Sequence, residues 1–201
     1  QSIGDVVSGG NITSIYAKES TGSISAGAWL GTVQAGLDIA GSVSAGLWIG
    51  GAYLPGTASN DYSTWQYANY GSGISAGRDI LGTVTAGKGI KGVSAGRHIL
   101  GSITADDGDI WWVRAGGGGF SSISSNPDYY EYDEMSDWVP YAPGSIIGSI
   151  TASRDIHAVS ATGNVEGAVT ARSGNILGVN AGDDILGDVT AQVDIGRSDV
   201  R

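Results

Sequence analysis

Cysteine is absent from this 201-residue sequence, and proline, phenylalanine and methionine are rare, with 4, 1 and 1 residues. The lack of cysteine excludes a framework stapled by disulfides. The low proline content and the lack of a three-residue glycine period exclude collagen and disordered Pro/Gly-rich chains. No run of about 18 apolar residues is present, so the sequence predicts no membrane-spanning helix.

Basic residues are also scarce, with 10 Lys and Arg against 20 Asp and Glu and a net charge of −10. Nucleic-acid binding needs a basic surface, so this balance argues against a nucleic-acid partner. It is compatible with an extracellular protein or with cation binding. No signal peptide is visible, and the sequence is already strand-like at Gln1, so we expect a processed or excised segment.

Glycine is abundant instead, with 35 residues, and it punctuates a short repeat of the form Gly-x-Val/Ile-x-Ala-Gly-x-x-Ile. In Val-x-Ala the first and third residues share one face of a strand, so Val and Ala are predicted to point inward and the intervening Ser or Thr outward. Successive copies lie nine or ten residues apart, except across two interruptions. Their first β-branched residues are Ile15, Ile24, Val33, Val43, Ile74, Val84, Val93, Ile103, Ile150, Val159, Val169, Val179 and Val189.

Units this short predict an all-β fold of the parallel β-helix, or β-solenoid, class, with each strand pairing in parallel with its copy one coil away. We expect a right-handed helix of nine- to ten-residue units forming one domain over 1–201. Two units per coil would need about 19 residues and three about 29, and the pattern does not choose between them. The glycines are expected at tight corners with positive φ.

Two aromatic-rich segments, at about 51–73 and 111–144, interrupt the repeat and are predicted to be loop insertions. They hold four of the 6 Trp and eight of the 9 Tyr. Such side chains suit a sugar-stacking or protein-contact surface, or a small core of the insertions themselves, and both alternatives stay open. The candidate contact residues are Trp65, Tyr67, Tyr70, Trp111, Trp112, Tyr130 and Trp138.

Acidic residues in the second insertion, Asp128, Glu131, Asp133 and Glu134, are weak candidates for a calcium site, and a solvated charged loop is the preferred interpretation. No other cofactor is expected. A recurring Asp or Asn before the second apolar position is predicted to cap corners through local backbone N–H groups, in preference to binding calcium as an aligned carboxylate ladder. Its members are Asn11, Asp38, Asp79, Asp109, Asp155, Asn164, Asn175, Asp184 and Asp194.

Two further features of the repeat are assigned no site. His98 and His157 are isolated and are predicted to be surface or coil positions. The outward Ser and Thr residues suggest an ice-binding ladder, but Gln34 and Asn180 interrupt the row and argue against it.

The strings AGRDILGTVTAG, from Ala76, and AGDDILGDVTA, from Ala181, resemble the Gly/Ala-rich β-helical repeats of large bacterial surface and secreted proteins, including adhesin-like proteins. The resemblance covers the chain outside the two insertions. It implies a parallel β-helix, an extracellular or cell-surface location and a structural or adhesive role. It transfers no catalytic residue.

The repeat shows no polar capping unit near Gln1 or Arg201, where a solenoid coil would present unpaired strand edges. We therefore expect an extracellular structural protein, not an enzyme, that stacks through its solenoid ends into a filament or a long surface fibre. The alternative is a β-helix that binds or acts on polysaccharide through the aromatic and acidic insertions.

Overall fold

A computed structural model of the chain describes residues 1–50, 73–116 and 143–196, together with the backbone of 198–200. Within these ranges the protein is all-β, as predicted, and its strands form two parallel sheets of eight strands each. The same ranges contain no helix long and apolar enough to cross a membrane.

Successive strands alternate between the two sheets, so each strand pairs with the one two further along the chain. The odd sheet consists of β1 (Val6–Ser8), β3 (Ile24–Ala26), β5 (Val43–Ala45), β7 (Val84–Ala86), β9 (Ile103–Ala105), β11 (Ile150–Ala152), β13 (Val169–Ala171) and β15 (Val189–Ala191). The even sheet consists of β2 (Ile12–Ala17), β4 (Leu30–Ala35), β6 (Gly73–Ala76), β8 (Ile90–Ala95), β10 (Ile110–Ala115), β12 (Ile156–Ala161), β14 (Val179–Ala181) and β16 (Ser198–Val200).

One circuit of the chain, here called a coil, therefore contributes one strand to each sheet, as in a parallel β-solenoid. Away from the interruptions, hydrogen-bonded equivalents in adjacent coils are separated by 18 to 20 residues. Single bridges between the strands add further columns, such as the one running from Ile3 through Thr21 and Ile39 to Ile80. The parallel register is continuous through all eight coils.

The core is a stack of similar layers of small and β-branched side chains. In β5, for example, Val43 and Ala45 are buried, while Ser44 between them is partly exposed. Apart from Thr21, the bridge columns consist of Ile, Val and Leu, and Ile39 and Ile80 there are fully buried. Burial of each such side chain stabilises the fold by about 1.5–3 kcal/mol. The predicted orientation of the Val-x-Ala units is confirmed.

The reason for the corner glycines differs from the prediction. Positive φ angles occur in the described residues only at Gly50, Gly73 and Gly116, beside the insertions. The repeat glycines are needed because adjacent coils approach closely. A Cβ built on Gly82 would lie 2.7 Å from Ser42 N and closer still to the Gly41 carbonyl, whereas ordinary Cβ contacts are 3.4–4 Å. The same clash with the preceding coil recurs at Gly101, Gly148, Gly167 and Gly187.

The first interruption lies within the even half of the coil, and the second lies at the corner that follows even strand β10. The first lies between Gly50 and Gly73, whose backbones are neighbours: a Cβ on Gly50 would lie 3.3 Å from Gly73 Cα. The second lies between Gly116 and Gly144, which are equally close. The odd sheet pairs without a break across both points, with Val43 opposite Val84 and Ile103 opposite Ile150.

Candidate interaction surfaces

The two sheets share one core but present different outer surfaces. We call the outward side chains of the odd sheet the hydroxyl face, because in its inner coils they are almost all Ser and Thr. The outer surface of the even half-coil, here the aromatic face, carries every aromatic residue that the described ranges contain: Tyr16, Trp29, Trp48, Trp111 and Trp112.

The indoles of the aromatic face lie against neighbouring coils. The Trp111 ring stacks on the His157 ring, with centroids 4.3 Å apart and planes 2° from parallel. Trp112 covers Gly92 so closely that a Cβ there would lie 2.7 Å from its Nε1, and Trp48 covers Gly89 in the same way. Glycine is thus required under these rings because a side chain would displace them.

Trp111 and Trp112, which the sequence analysis placed in the second insertion, belong to strand β10. The repeat thus continues to Ala115, and both indoles are partly buried on the even sheet. The other candidate residues lie outside the described part of the chain: Trp65, Tyr67, Tyr70, Asp128, Tyr130, Glu131, Asp133, Glu134 and Trp138.

The recurring Asp and Asn residues do bind backbone N–H groups, as predicted, but those of the next coil rather than local ones. Asp38 Oδ1 accepts a hydrogen bond from Asp79 N at 3.2 Å, and Asp79 Oδ1 accepts one from His98 N at 3.0 Å. Each side chain thereby accepts a hydrogen bond from the backbone N–H of the equivalent residue in the next coil. The result is a ladder of side-chain acceptors along one corner.

This ladder also uses residues that the sequence analysis did not assign to it. Ser20 Oγ accepts the Asp38 N–H at 3.3 Å, His98 Nδ1 accepts the Ser145 N–H at 3.1 Å, and Ser145 Oγ accepts the Asn164 N–H at 3.1 Å. His98 was therefore missed as a structural acceptor. The only signal in the sequence is its register, since it precedes Ile99 as Asp79 precedes Ile80.

A second ladder follows the other corner, before the even strands. Asn11 Oδ1 accepts the Trp29 N–H at 3.1 Å, Asp109 Oδ1 accepts the Asp155 N–H at 3.1 Å, and Asp155 Oδ1 accepts the Asn175 N–H at 2.7 Å. Asp109 is largely buried, and this hydrogen bond compensates part of the cost of removing its carboxylate from water.

Ion pairs reinforce the first ladder. Arg78 binds Asp38 through both Nε and a terminal nitrogen, at 3.1 and 2.5 Å, and Arg97 pairs with Asp79 at 2.5 Å. The hydrogen bonds from the Arg78 guanidinium lower the pKa of Asp38, against the opposing effect of its partial burial. At another corner, the ion pair with Lys88 lowers the pKa of Asp107.

The described ranges bring together no group of three His, Asp or Glu side chains that could hold a metal ion. The acidic turn around Gly108 illustrates why, since Asp107 pairs with Lys88 and Asp109 belongs to the second ladder. The acidic candidates of the second insertion lie outside these ranges, so the calcium prediction stays a prediction.

The row of outward hydroxyls also differs from its sequence interpretation. Gln34 and Asn180 lie in β4 and β14, on the even sheet. They interrupt the outward row of the even sheet, so the row of hydroxyls on the odd sheet is unbroken. Its central outward positions are in register from Ser25 through Ser44, Thr85, Thr104, Thr151 and Thr170 to Thr190.

Comparison with known proteins identifies no relative. No protein-family model, no curated protein and no solved structure matches this chain.

Proposed function

We propose that this chain is an extracellular structural protein, a segment or subunit of a longer solenoid whose coils stack end to end into a filament or surface fibre. In this proposal the β-helix is right-handed, and each coil contains two units of nine to ten residues. Its main support is Gly4, a glycine of the first coil at a position where only a preceding coil would require one.

Glycine occupies the position two residues before the first inward residue of the odd strand in all eight coils: Gly4, Gly22, Gly41, Gly82, Gly101, Gly148, Gly167 and Gly187. From Gly22 onward, a Cβ at this position would collide with the coil before it. Gly4 has nothing within 4 Å of a Cβ built on it. A coil stacked below it would supply the missing constraint.

The column that follows the odd strands is glycine only in the first four coils, and it is occupied afterwards by Asp106, Ser153, Arg172 and Gln192. Gly27 and Gly46 would each place a Cβ against the carbonyl of the glycine one coil earlier, whereas Gly9 faces open space. At the opposite end, Asp184 stands last in the first ladder, in register with side chains that each accept an N–H from a following coil. Both ends therefore have the chemistry of an interior coil.

The test compares self-association of the wild type with that of the double variant Gly4→Ala/Gly9→Ala. The added methyl groups face open space in the isolated chain, so they leave it folded, but the methyl group at position 4 would collide with a stacked neighbour. Gly10→Ala is the matched control, because Ala28 and Leu47 occupy its equivalent position in the next coils.

Sedimentation velocity over a range of concentrations, with electron microscopy of the same samples, measures the effect. We expect the wild type and Gly10→Ala to form end-to-end assemblies and the double variant to remain a monomer. A wild type that stays monomeric at high concentration would refute stacking between copies, as would assembly of the double variant at the wild-type concentration.

A second candidate function is polysaccharide binding on the aromatic face, and the clustering of aromatic side chains there favours it. Large rigid rings with a polar edge are suited to stacking on sugars. Binding to a polysaccharide panel should weaken in a Trp29→Ala/Trp111→Ala variant, which removes two partly exposed rings of the aromatic face, relative to the wild type. Equal binding by the two proteins would remove this candidate.

A further inference from the structure

The hydroxyl face forms a regular two-dimensional array of uncharged donors and acceptors. Its first column, at the central residue of each odd strand, contains Ser25, Ser44, Thr85, Thr104, Thr151 and Thr170. Its second column, one residue before each odd strand, contains Ser23, Ser42, Thr83, Ser102 and Ser149, and Ala168 continues it. The members of both columns are partly or fully exposed, so both columns face outward.

The spacings of this array follow from strand geometry. Equivalent residues in adjacent strands lie about 4.8 Å apart, and residues two apart along a strand lie about 6.6 Å apart. Where threonines of adjacent coils share a rotamer, as those from Thr85 to Thr170 can, their hydroxyls repeat the spacing of about 4.8 Å. A water molecule that bridges two of them with hydrogen bonds of about 2.8 Å would have an angle of about 118° between those bonds, close to tetrahedral, as in ice. The threonines of the first column can therefore hold waters in an ice-like arrangement.

Three pairs of hydroxyls in the array bond to each other directly, which fixes their orientation before any ligand binds. Thr83 Oγ1 donates to Ser42 Oγ, Ser149 Oγ to Ser102 Oγ, and Ser44 Oγ to Ser25 Oγ, each at 3.1 Å. The threonines of the first column are β-branched, so their χ1 angles are restricted. Each hydroxyl offers one donor and two acceptor sites, which leaves capacity for water after these bonds.

The residues of the hydroxyl face favour ice over charged ligands and sugars. From the second to the seventh coil the two columns contain no charged residue, although the protein carries a net charge of −10. None of the described aromatic residues lies on this face, so it lacks the rings on which sugars stack. Neither insertion leaves from an odd strand, and the pairing of the odd strands stays continuous across both.

We propose that the hydroxyl face binds the surface of ice. The inference does not rest on the proposed stacking function, because the array lies within one chain. Gln34 and Asn180 do not oppose it, since both belong to the even sheet.

The test measures growth of polycrystalline ice, annealed a few degrees below freezing, in the presence of the purified chain. The face variant is Thr104→Tyr/Thr151→Tyr, which places two large rings in adjacent coils of the array. The matched control is Ser160→Tyr/Asn180→Tyr, at the corresponding positions of two adjacent strands of the even sheet. Tyr16 occupies that position in β2, so the solenoid accommodates a tyrosine there.

We expect the wild type and the even-sheet control to slow crystal growth and the face variant to lose the effect. Thermal unfolding of all three proteins, followed by circular dichroism, verifies that each is folded. If the tyrosine variant does not fold, Thr104→Gln/Thr151→Gln replaces it. Wild-type protein that leaves crystal growth unchanged would overturn the proposal, as would equal loss of inhibition in the face and even-sheet variants.

Discussion

The steric role of the corner glycines can be tested by adding a single methyl group. In Gly82→Ala the new Cβ would lie 2.7 Å from Ser42 N and closer still to the Gly41 carbonyl. Ordinary contact begins near 3.4 Å, so the two coils must separate by at least about 0.7 Å. Backbone lies on both sides of the contact, and no flexible side chain can move aside.

A separation of that size would break hydrogen bonds between the coils. Val43 N donates to Thr83 O at 2.8 Å and Leu81 N to Ile39 O at 2.9 Å. An added 0.7 Å would carry both beyond hydrogen-bond range. Each buried backbone group left unpaired costs about 1–3 kcal/mol. We therefore expect Gly82→Ala to lower the free energy of unfolding by about 3–5 kcal/mol, a large part of a typical stability of about 5–15 kcal/mol.

Urea denaturation followed by circular dichroism measures this loss, with Gly10→Ala as the control. Gly10 has nothing within 4 Å of a built Cβ and its φ is not positive, so alanine there should change stability by no more than about 1 kcal/mol. Loss of less than about 1 kcal/mol in Gly82→Ala would show that the glycine columns are not a steric requirement.

Three further changes probe the interior and the first ladder. The Thr21 hydroxyl is buried among isoleucines with no hydrogen-bond partner. Thr21→Val should therefore raise the free energy of unfolding by about 1–2 kcal/mol. An unchanged or lower melting temperature would contradict this. His98→Leu should lower the free energy of unfolding by about 1–3 kcal/mol, because it leaves the Ser145 N–H unpaired. His98→Asn keeps an acceptor and should lower it less. Equal losses of stability in urea denaturation would argue against the ladder. Asp38 has a lowered pKa in the folded state, so its contribution to stability is complete above its ordinary pKa of 3.8 and is lost as the pH falls through the folded value. Asp38→Asn keeps the ladder acceptor and should flatten the acid side of the stability profile, and an acid limb as steep as that of the wild type would exclude Asp38 as its source.

Much of this fold can be predicted from the sequence because the strand period is two and the unit recurs many times. Val43, Ser44 and Ala45 are enough to assign inward and outward positions, and the same assignment holds in each later coil. The Asp and Asn positions were also informative, since these residues favour hydrogen bonds to backbone N–H groups.

The sequence could not separate the two sheets, because units of both sheets have the form Val-x-Ala. Gln34 and Asn180 therefore seemed to interrupt the same row as Thr85 and Thr104, although they lie on the other side of the core. The glycine prediction failed for a related reason. A glycine required by an adjacent coil and one required by a turn with positive φ are identical in sequence, and only inter-coil packing distinguishes Gly82 from Gly50.

Stacking uses the ends of the solenoid and ice binding uses the hydroxyl face on its side. The residues of the end coils allow the two functions to be tested separately. In the first coil the two columns of the hydroxyl face hold Asp5 and Val7, and in the last coil Asp188 stands beside Thr190. A junction between stacked copies would therefore place two carboxylates and an exposed valine in the array, and the array ends within each copy. Gly4→Ala/Gly9→Ala should thus retain the ability to slow ice growth as a monomer. If the variant lost both assembly and the ability to slow ice growth, a single chain would present too small an array to hold an ice surface.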